Sequence, residues 1–191
     1  MRKIGPAIAV LLSACVLQAC SYKGVNNYTA NQDTTAVQDT SSTLNLSVDE
    51  HDLQFALTAA NGNMAEIALG KLAIARGRSK KVKNFGAMMV KDHSKADTKL
   101  ALIAKAKDID LPKMLDTATQ RKIDLLSAKS GTDFDKAYIN YMIADHEKNV
   151  ALFTDESKKL QDPDLQAFAI KTLPVLQTHL DAINAIHDSM P

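Results

Sequence analysis

The segment VKNFGAMMVKDHSKADTKLALI, residues 82–103, decides the fold. Its apolar side chains recur three and four positions apart, which is the period of an α-helix with one buried face. They are Val82, Phe85, Met89, Ala96, Leu100 and Ile103. His93 falls on the same face, in the middle of this stripe. The segment therefore predicts an amphipathic helix that carries a histidine into the core.

Three further segments show the same period around a polar residue. His146 lies on the apolar stripe of one later helix, His179 on that of another, and Glu66 on that of the first helix. Since a helix rises 1.5 Å per residue, the three histidines lie at levels that agree within about 5 Å, provided that both hairpin turns lie at one end. We therefore expect them to meet, with Glu66 about one turn away.

Capping and helix-breaking residues divide the chain after residue 47 into five helices. They are predicted over about 47–77, 79–107, 115–129, 132–160 and 162–187. Ser47 and Thr132 are the predicted N-caps of two of them, and Pro174 should kink the last helix. No segment shows the period of two that a half-buried strand requires. The sequence predicts an all-α four-helix bundle of two antiparallel hairpins with a short extra connecting helix.

Two motifs recur between the hairpins. VKNF at residues 82–85 matches LQAF at 165–168, and the spacing from Phe55 to Glu66 recurs at residues 134–145. An internal duplication and the chance similarity of helical sequences both account for these matches.

The first twenty residues, MRKIGPAIAVLLSACVLQAC, have the basic start and short apolar run of a secretory signal. Leu17-Gln18-Ala19-Cys20 resembles a bacterial lipoprotein box, in which the cysteine is lipidated and the signal is cut before it. Cys15 also fits this pattern, but cleavage there leaves an apolar run of only about nine residues. We therefore favour Cys20 as the lipidated residue.

This start of the chain predicts three parts. They are a signal peptide at 1–19, an acylated Cys20 with a flexible polar tether at 20–47, and a helical domain at 48–191. Ser21 occupies the position where Asp would retain a lipoprotein in the inner membrane. We expect a lipid anchor in the outer membrane, with the domain facing the periplasm.

Charge and motif content exclude several classes of function. The formal net charge is +1 with both signs interspersed, so the basic surface that nucleic-acid binding needs is not expected. Both cysteines lie near the N-terminus, so thiol chemistry within the helical domain is excluded. The sequence has no hydrolase or phosphate-binding motif, and an enzymatic activity is not indicated. The membrane, reached through the lipid anchor, is the predicted partner.

The buried polar residues have two interpretations. Glu66, His93, His146 and His179 could hold one Fe, Zn, Mn or Cu ion, with Asp92 and Asp145 orienting the ligands. Alternatively, the histidines form a hydrogen-bonded core of a structural or interaction module of the cell envelope. Met89 and Met142, one turn before His93 and His146, could join a copper site but are the usual filler of a core.

Three motifs carry a resemblance to a known family. They are NMAEIALGKLA at 63–73, the paired heptapeptides MVKDHSK at 89–95 and MIADHEK at 142–148, and KTLPVLQTHL at 171–180. The chain from Asp49 to His187 resembles the bacterial ferritin-like envelope proteins classed as a domain of unknown function and often called predicted outer membrane proteins. The resemblance implies a ferritin-like four-helix bundle in the envelope. Val90 and Leu176 stand where di-iron bundles place a glutamate three residues before a histidine, so a ferroxidase centre is not expected.

Overall fold

The computed structural model describes residues 48–190, which form five α-helices and no strand. They are α1 (Glu50–Arg76), α2 (Lys80–Ala106), α3 (Thr117–Ser127), α4 (Gly131–Lys159) and α5 (Pro163–Asp188). This confirms the predicted all-α bundle with a short connecting helix. The predicted signal peptide, Cys20 and the tether lie outside the described residues. None of the described helices is both long and apolar enough to span a membrane.

The four long helices form two antiparallel hairpins, α1 with α2 and α4 with α5. The register of the first hairpin follows from its cross-helix contacts, which pair Asn63 with His93 and Gly70 with Gly86. Helices α2 and α5 pack side by side, and α1 lies against α4, so the four helices enclose one core. The short helix α3 leads from the first hairpin to the second and packs on α1 and α4.

The structure shows that two of the predicted N-caps are wrong. Helix α1 is capped by Asp49, whose Oδ1 accepts from the backbone N of His51 at 2.7 Å, and not by Ser47. Helix α4 begins at Gly131, with Ser130 and not the predicted Thr132 as its N-cap. Gly131 has a φ of +59°, a conformation that favours glycine. A carboxylate is as good an N-cap as a hydroxyl, so the pattern at residues 47–50 admitted either start.

The two hairpin turns lie at opposite ends of the bundle, each held by a buried aspartate of the other hairpin. Asp135, the fifth residue of α4, accepts from the backbone N of Arg78 at 2.9 Å and of Ser79 at 2.7 Å. Asp52, in the first turn of α1, accepts from the backbone N of Gln161 at 3.1 Å and of Asp162 at 2.5 Å. The condition under which the histidine levels were compared, that both turns share one end, is therefore not met.

These aspartate contacts also show which residues of the two hairpins correspond to each other. At one constant spacing in sequence, Asp52 corresponds to Asp135, and VKNF at 82–85 corresponds to LQAF at 165–168. The same spacing pairs Phe55 with Tyr138, not with Phe134 as the sequence comparison suggested. A constant spacing needs no insertion, which favours duplication over chance.

The core consists of two apolar clusters with a polar layer between them. One cluster, which we call the Phe55 cluster, includes Phe55, Leu100, Phe153, Leu165 and Phe168. The other, the Tyr138 cluster, includes Leu69, Phe85, Phe134, Tyr138 and Ile183. Asn63, Glu66, His93, His146 and His179 fall between the positions of these two sets on their helices. Because the histidines lie near the middle of their helices, they share one level whichever way the hairpins point.

Gly70 and Gly86 allow α1 and α2 to approach closely. A Cβ at Gly70 would lie 2.6 Å from the backbone O of Gly86 and 2.9 Å from Cγ2 of Val90. We expect Gly70→Ala to force the helices apart and to lower the free energy of unfolding by about 1–3 kcal/mol. Urea denaturation followed by circular dichroism measures this.

Gly62→Ala on the same helix is the matched control. A Cβ at Gly62 would meet nothing within 4 Å, so alanine should add up to about 1 kcal/mol by its higher helix propensity. Equal effects of the two substitutions would show that the close approach at Gly70 does not constrain the hairpin.

Candidate metal centre

Three histidines from three helices converge in the polar layer. His93 of α2, His146 of α4 and His179 of α5 are at most 5% exposed. One ring nitrogen of each lies within 4.8 Å of one ring nitrogen of each of the others. Their ring centroids are 5.4 to 6.3 Å apart, and the ring of Phe85 meets that of His146 edge-on. The structure therefore brings together three of the four residues predicted as metal ligands.

Each histidine makes one hydrogen bond to a group that is not one of the other two histidines. Nδ1 of His93 lies 3.0 Å from Oδ1 of Asn63, and Nδ1 of His146 lies 2.9 Å from the backbone O of Met142. Nε2 of His179 lies 3.3 Å from Oδ2 of Asp92. Carbonyl and carboxylate oxygens only accept, so these three ring nitrogens carry the protons. Asp92, predicted to orient a ligand, thus contacts one of the three histidines.

The second nitrogen of each ring is buried without a hydrogen-bond partner. These atoms are Nε2 of His93, Nε2 of His146 and Nδ1 of His179. In a neutral imidazole whose other nitrogen carries the proton, each is an acceptor with a free lone pair. Three acceptors cannot satisfy one another, and leaving them unpaired in a core is costly. A shared cation would satisfy all three at once.

The arrangement fits the usual requirements of a transition-metal site. Metal-bound histidines commonly donate their second N–H to a carbonyl or carboxylate, as all three do here. Typical metal–nitrogen bonds are about 2.0 Å, which small rotations of these rings could provide from their present separation. The three buried histidines could therefore form a metal site.

Burial keeps the imidazoles in the neutral form that binds metals. It lowers the pKa of His93 to about 3, and the nearby His179 and His146 add to this effect. It likewise lowers the pKa of His146 to about 4, aided by His179 and opposed by the Met142 carbonyl and Asp145. Burial also lowers the pKa of His179, although Asp92 opposes the shift. At neutral pH the lone pairs are not blocked by protons.

Glu66 lies next to the three histidines but not among their inward nitrogens. Its Oε1 is 3.8 Å from Nδ1 of His146, the nitrogen already bonded to the Met142 carbonyl. Both carboxylate oxygens are buried without hydrogen-bond partners. Burial, together with the neighbouring Asp145, raises the pKa of Glu66 well above its ordinary value. Asp145 itself accepts from Nδ2 of Asn149 at 2.8 Å.

The sequence analysis missed two groups that orient the histidines. Asn63 is 6% exposed and faces His93 across the first hairpin. Its position one turn before Glu66 is a signal that could have identified it, because residues three apart share a helix face. The carbonyl of Met142 carries no sequence signal, since every residue has one. Met89 and Met142 are themselves fully buried in the Tyr138 cluster.

Fold and site together define the class of protein as an all-α bundle with three histidines at the centre of its core. The chain belongs to a family described as a domain of unknown function, DUF4142, whose model matches residues 35–186. A comparison with curated proteins finds no significant match.

Solved structures of similar fold are also helical bundles. A DUF305 fragment from Deinococcus radiodurans superposes with a TM-score of 0.66 at 10% identity, over 75% of this chain and 99% of the fragment. CopM in its Cu(I)-bound form gives a TM-score of 0.60 at 11% identity, and its Ag-bound form gives 0.59 at 13%. Both comparisons cover 72% of this chain and 95% of CopM. At these identities the likeness concerns the fold.

The buried titratable groups give the metal-free protein opposing pH dependences. The unfolded chain protonates its histidines below pH about 6.5, whereas folded His93 and His146 resist down to about 3 and 4. These groups therefore lower the stability as the pH falls from about 6.5. Glu66 acts in the opposite sense, because its carboxyl ionises near pH 4.5 when unfolded but stays protonated higher when folded.

Two variants separate these contributions in chelator-treated protein. Between pH 7.5 and pH 5, His93→Gln should lose less stability than the wild type, because it lacks one imidazole that is protonated in the unfolded chain but stays neutral in the folded protein. Glu66→Gln should be more stable than the wild type at pH 7.5 and should lose more stability on acidification. Urea midpoints at the two pH values test this, and identical pH dependences in all three proteins would contradict it.

Proposed function

We propose that the protein holds one transition-metal ion, copper(I), through His93, His146 and His179. The observation that carries the proposal is that each of three clustered histidines has one buried ring nitrogen without a hydrogen-bond partner. A hydrogen-bonded core would be expected to place donors against these acceptors. Since no nucleophile or catalytic motif accompanies the histidines, we assign the site to metal binding and not to hydrolysis.

The neutral ligand set favours a monovalent ion. Three uncharged imidazoles leave the whole charge of the ion in a low-dielectric core, and a divalent ion would cost far more there. A divalent ion would be favoured by a carboxylate ligand that offsets part of its charge, and Glu66 is the buried carboxyl beside His146 that could provide it. CopM supports the choice, because a bundle of similar fold is described with Cu(I) and with Ag bound.

Metal titration tests the proposal directly. Wild-type protein should bind one Cu(I) ion per chain in competition with a Cu(I)-specific chelator. His146→Gln should weaken binding by at least about 100-fold, because it removes one of three ligands. His187→Gln is the control, since His187 is exposed on α5 and lies outside the site. If the wild type binds no better than His146→Gln, the histidines are a hydrogen-bonded core.

We further propose that the protein is a lipoprotein of the outer membrane, anchored at Cys20 and facing the periplasm. The support is the N-terminal sequence, in which a basic start and an apolar run lead to Leu17-Gln18-Ala19-Cys20. A periplasmic domain on a tether would meet metal ions as they enter the cell envelope.

Metabolic labelling with an alkyne analogue of palmitate tests the anchor. In a Gram-negative host, the wild type and Cys15→Ser should incorporate the label and sediment with the membrane fraction. Cys20→Ser should lose both properties. Label retained in Cys20→Ser but lost in Cys15→Ser would move the anchor to Cys15.

A further inference from the structure

A groove runs between α2 and α5. Its cavity has a volume of about 380 Å³, within the range of small-ligand pockets. The floor is apolar and includes Ala96, Ile103, Phe168 and Val175. Because α2 and α5 are antiparallel, the groove begins at Asp92 and Val175, near the level of the histidines, and ends at Ile103 and Asp164.

Asp92 connects this groove to the three histidines. It lines the cavity, and its Oδ2 is also the partner of Nε2 of His179 at 3.3 Å. The side chain of Asp92 is 26% exposed. The corresponding partners of the other two histidines, Asn63 and the Met142 carbonyl, belong to buried residues. Of the three outward hydrogen bonds, that of His179 therefore ends at a side chain within reach of solvent.

Three lysines and two aspartates line the groove, which gives its lining a net positive charge. Lys95, Lys99 and Lys171 line it, and Lys95 lies 3.8 Å from Oδ1 of Asp92. Asp164, at the far end, is bound by Lys107 at 3.0 Å. In the part of the chain that the structure describes, Lys99 and Lys171 form no ion pair. Such a groove repels a bare cation and attracts an anion.

We infer that the groove between α2 and α5 is the opening of the metal site and that it admits the ion as an anionic complex. Asp92, at its inner end, connects the groove to the site, because it both lines the groove and contacts Nε2 of His179. The inference rests on the proposed function. It agrees with the chemistry of copper(I), a soft ion that is commonly held by anionic ligands such as thiolates.

Obstruction of the groove provides the test. Val175→Trp adds bulk at the inner end of the groove, so it should slow both the uptake and the release of Cu(I) by about tenfold. The dissociation constant should stay unchanged, because an obstacle on the path affects both directions equally. Stopped-flow transfer from the anionic bicinchoninate complex of Cu(I) measures uptake, and transfer to excess chelator measures release.

Ile170→Trp is the matched control. Ile170 is 53% exposed on the same helix and lies outside the groove, so this variant should keep the wild-type rates. Lys171→Glu tests the charge. It should slow uptake from the anionic complex at low salt, and the effect should shrink at high salt as the charges are screened.

The outcomes distinguish the inference from the function on which it rests. If the wild type binds no Cu(I), the proposed function fails and the inference fails with it. If the wild type binds but Val175→Trp keeps wild-type rates, the opening lies elsewhere while the function stands. If Val175→Trp changes the dissociation constant, the same rates are measured for Ala96→Phe, which lies on the α2 side of the groove. If Ala96→Phe slows both uptake and release and leaves the dissociation constant unchanged, the groove is supported as the opening. If Ala96→Phe keeps the wild-type rates, the inference is overturned.

Discussion

The structure depends on the way in which three imidazoles are buried at one level of a helical bundle. Each ring donates outward, to Asn63, to the Met142 carbonyl or to Asp92, and each presents a bare lone pair inward. The outward bonds fix the orientation of the rings, and the burial keeps them neutral. A core that used these positions only for packing would have no need of lone pairs directed at a common point.

Contacts between the helices fix the position of the polar layer. Asp52 and Asp135 each hold the turn of the opposite hairpin, so the two hairpins cannot slide past each other without breaking buried charge-assisted hydrogen bonds. The close contact of Gly70 with Gly86 fixes α1 against α2. The Phe55 and Tyr138 clusters then seal the layer on both sides. The polar groups are thereby held at one level by contacts at the ends and middle of the helices.

Electrostatics links the site to its surroundings. A cation bound by three neutral histidines would bring uncompensated positive charge into the core. The carboxyl groups of Glu66, which lies beside His146 of α4, and of its neighbour Asp145 could offset that charge. On the side of α2 and α5, Asp92 joins the site to a groove lined by lysines. The two faces of the polar layer therefore differ in charge and in access to solvent. This asymmetry persists although the hairpins themselves resemble each other.

The sequence by itself determined the helices, their buried faces and the depth of the histidines, because helical period, capping and rise per residue are local properties. His93, His146 and His179 meet for that reason. Only the tertiary structure decided which nitrogen of each ring faces inward, that Asn63 and Asp92 hold two of the rings, and that Glu66 stays beside them. It also decided that the hairpin turns lie at opposite ends. These features depend on side-chain rotation and on contacts between residues far apart in the chain, such as Asp92 and His179, which no local pattern encodes.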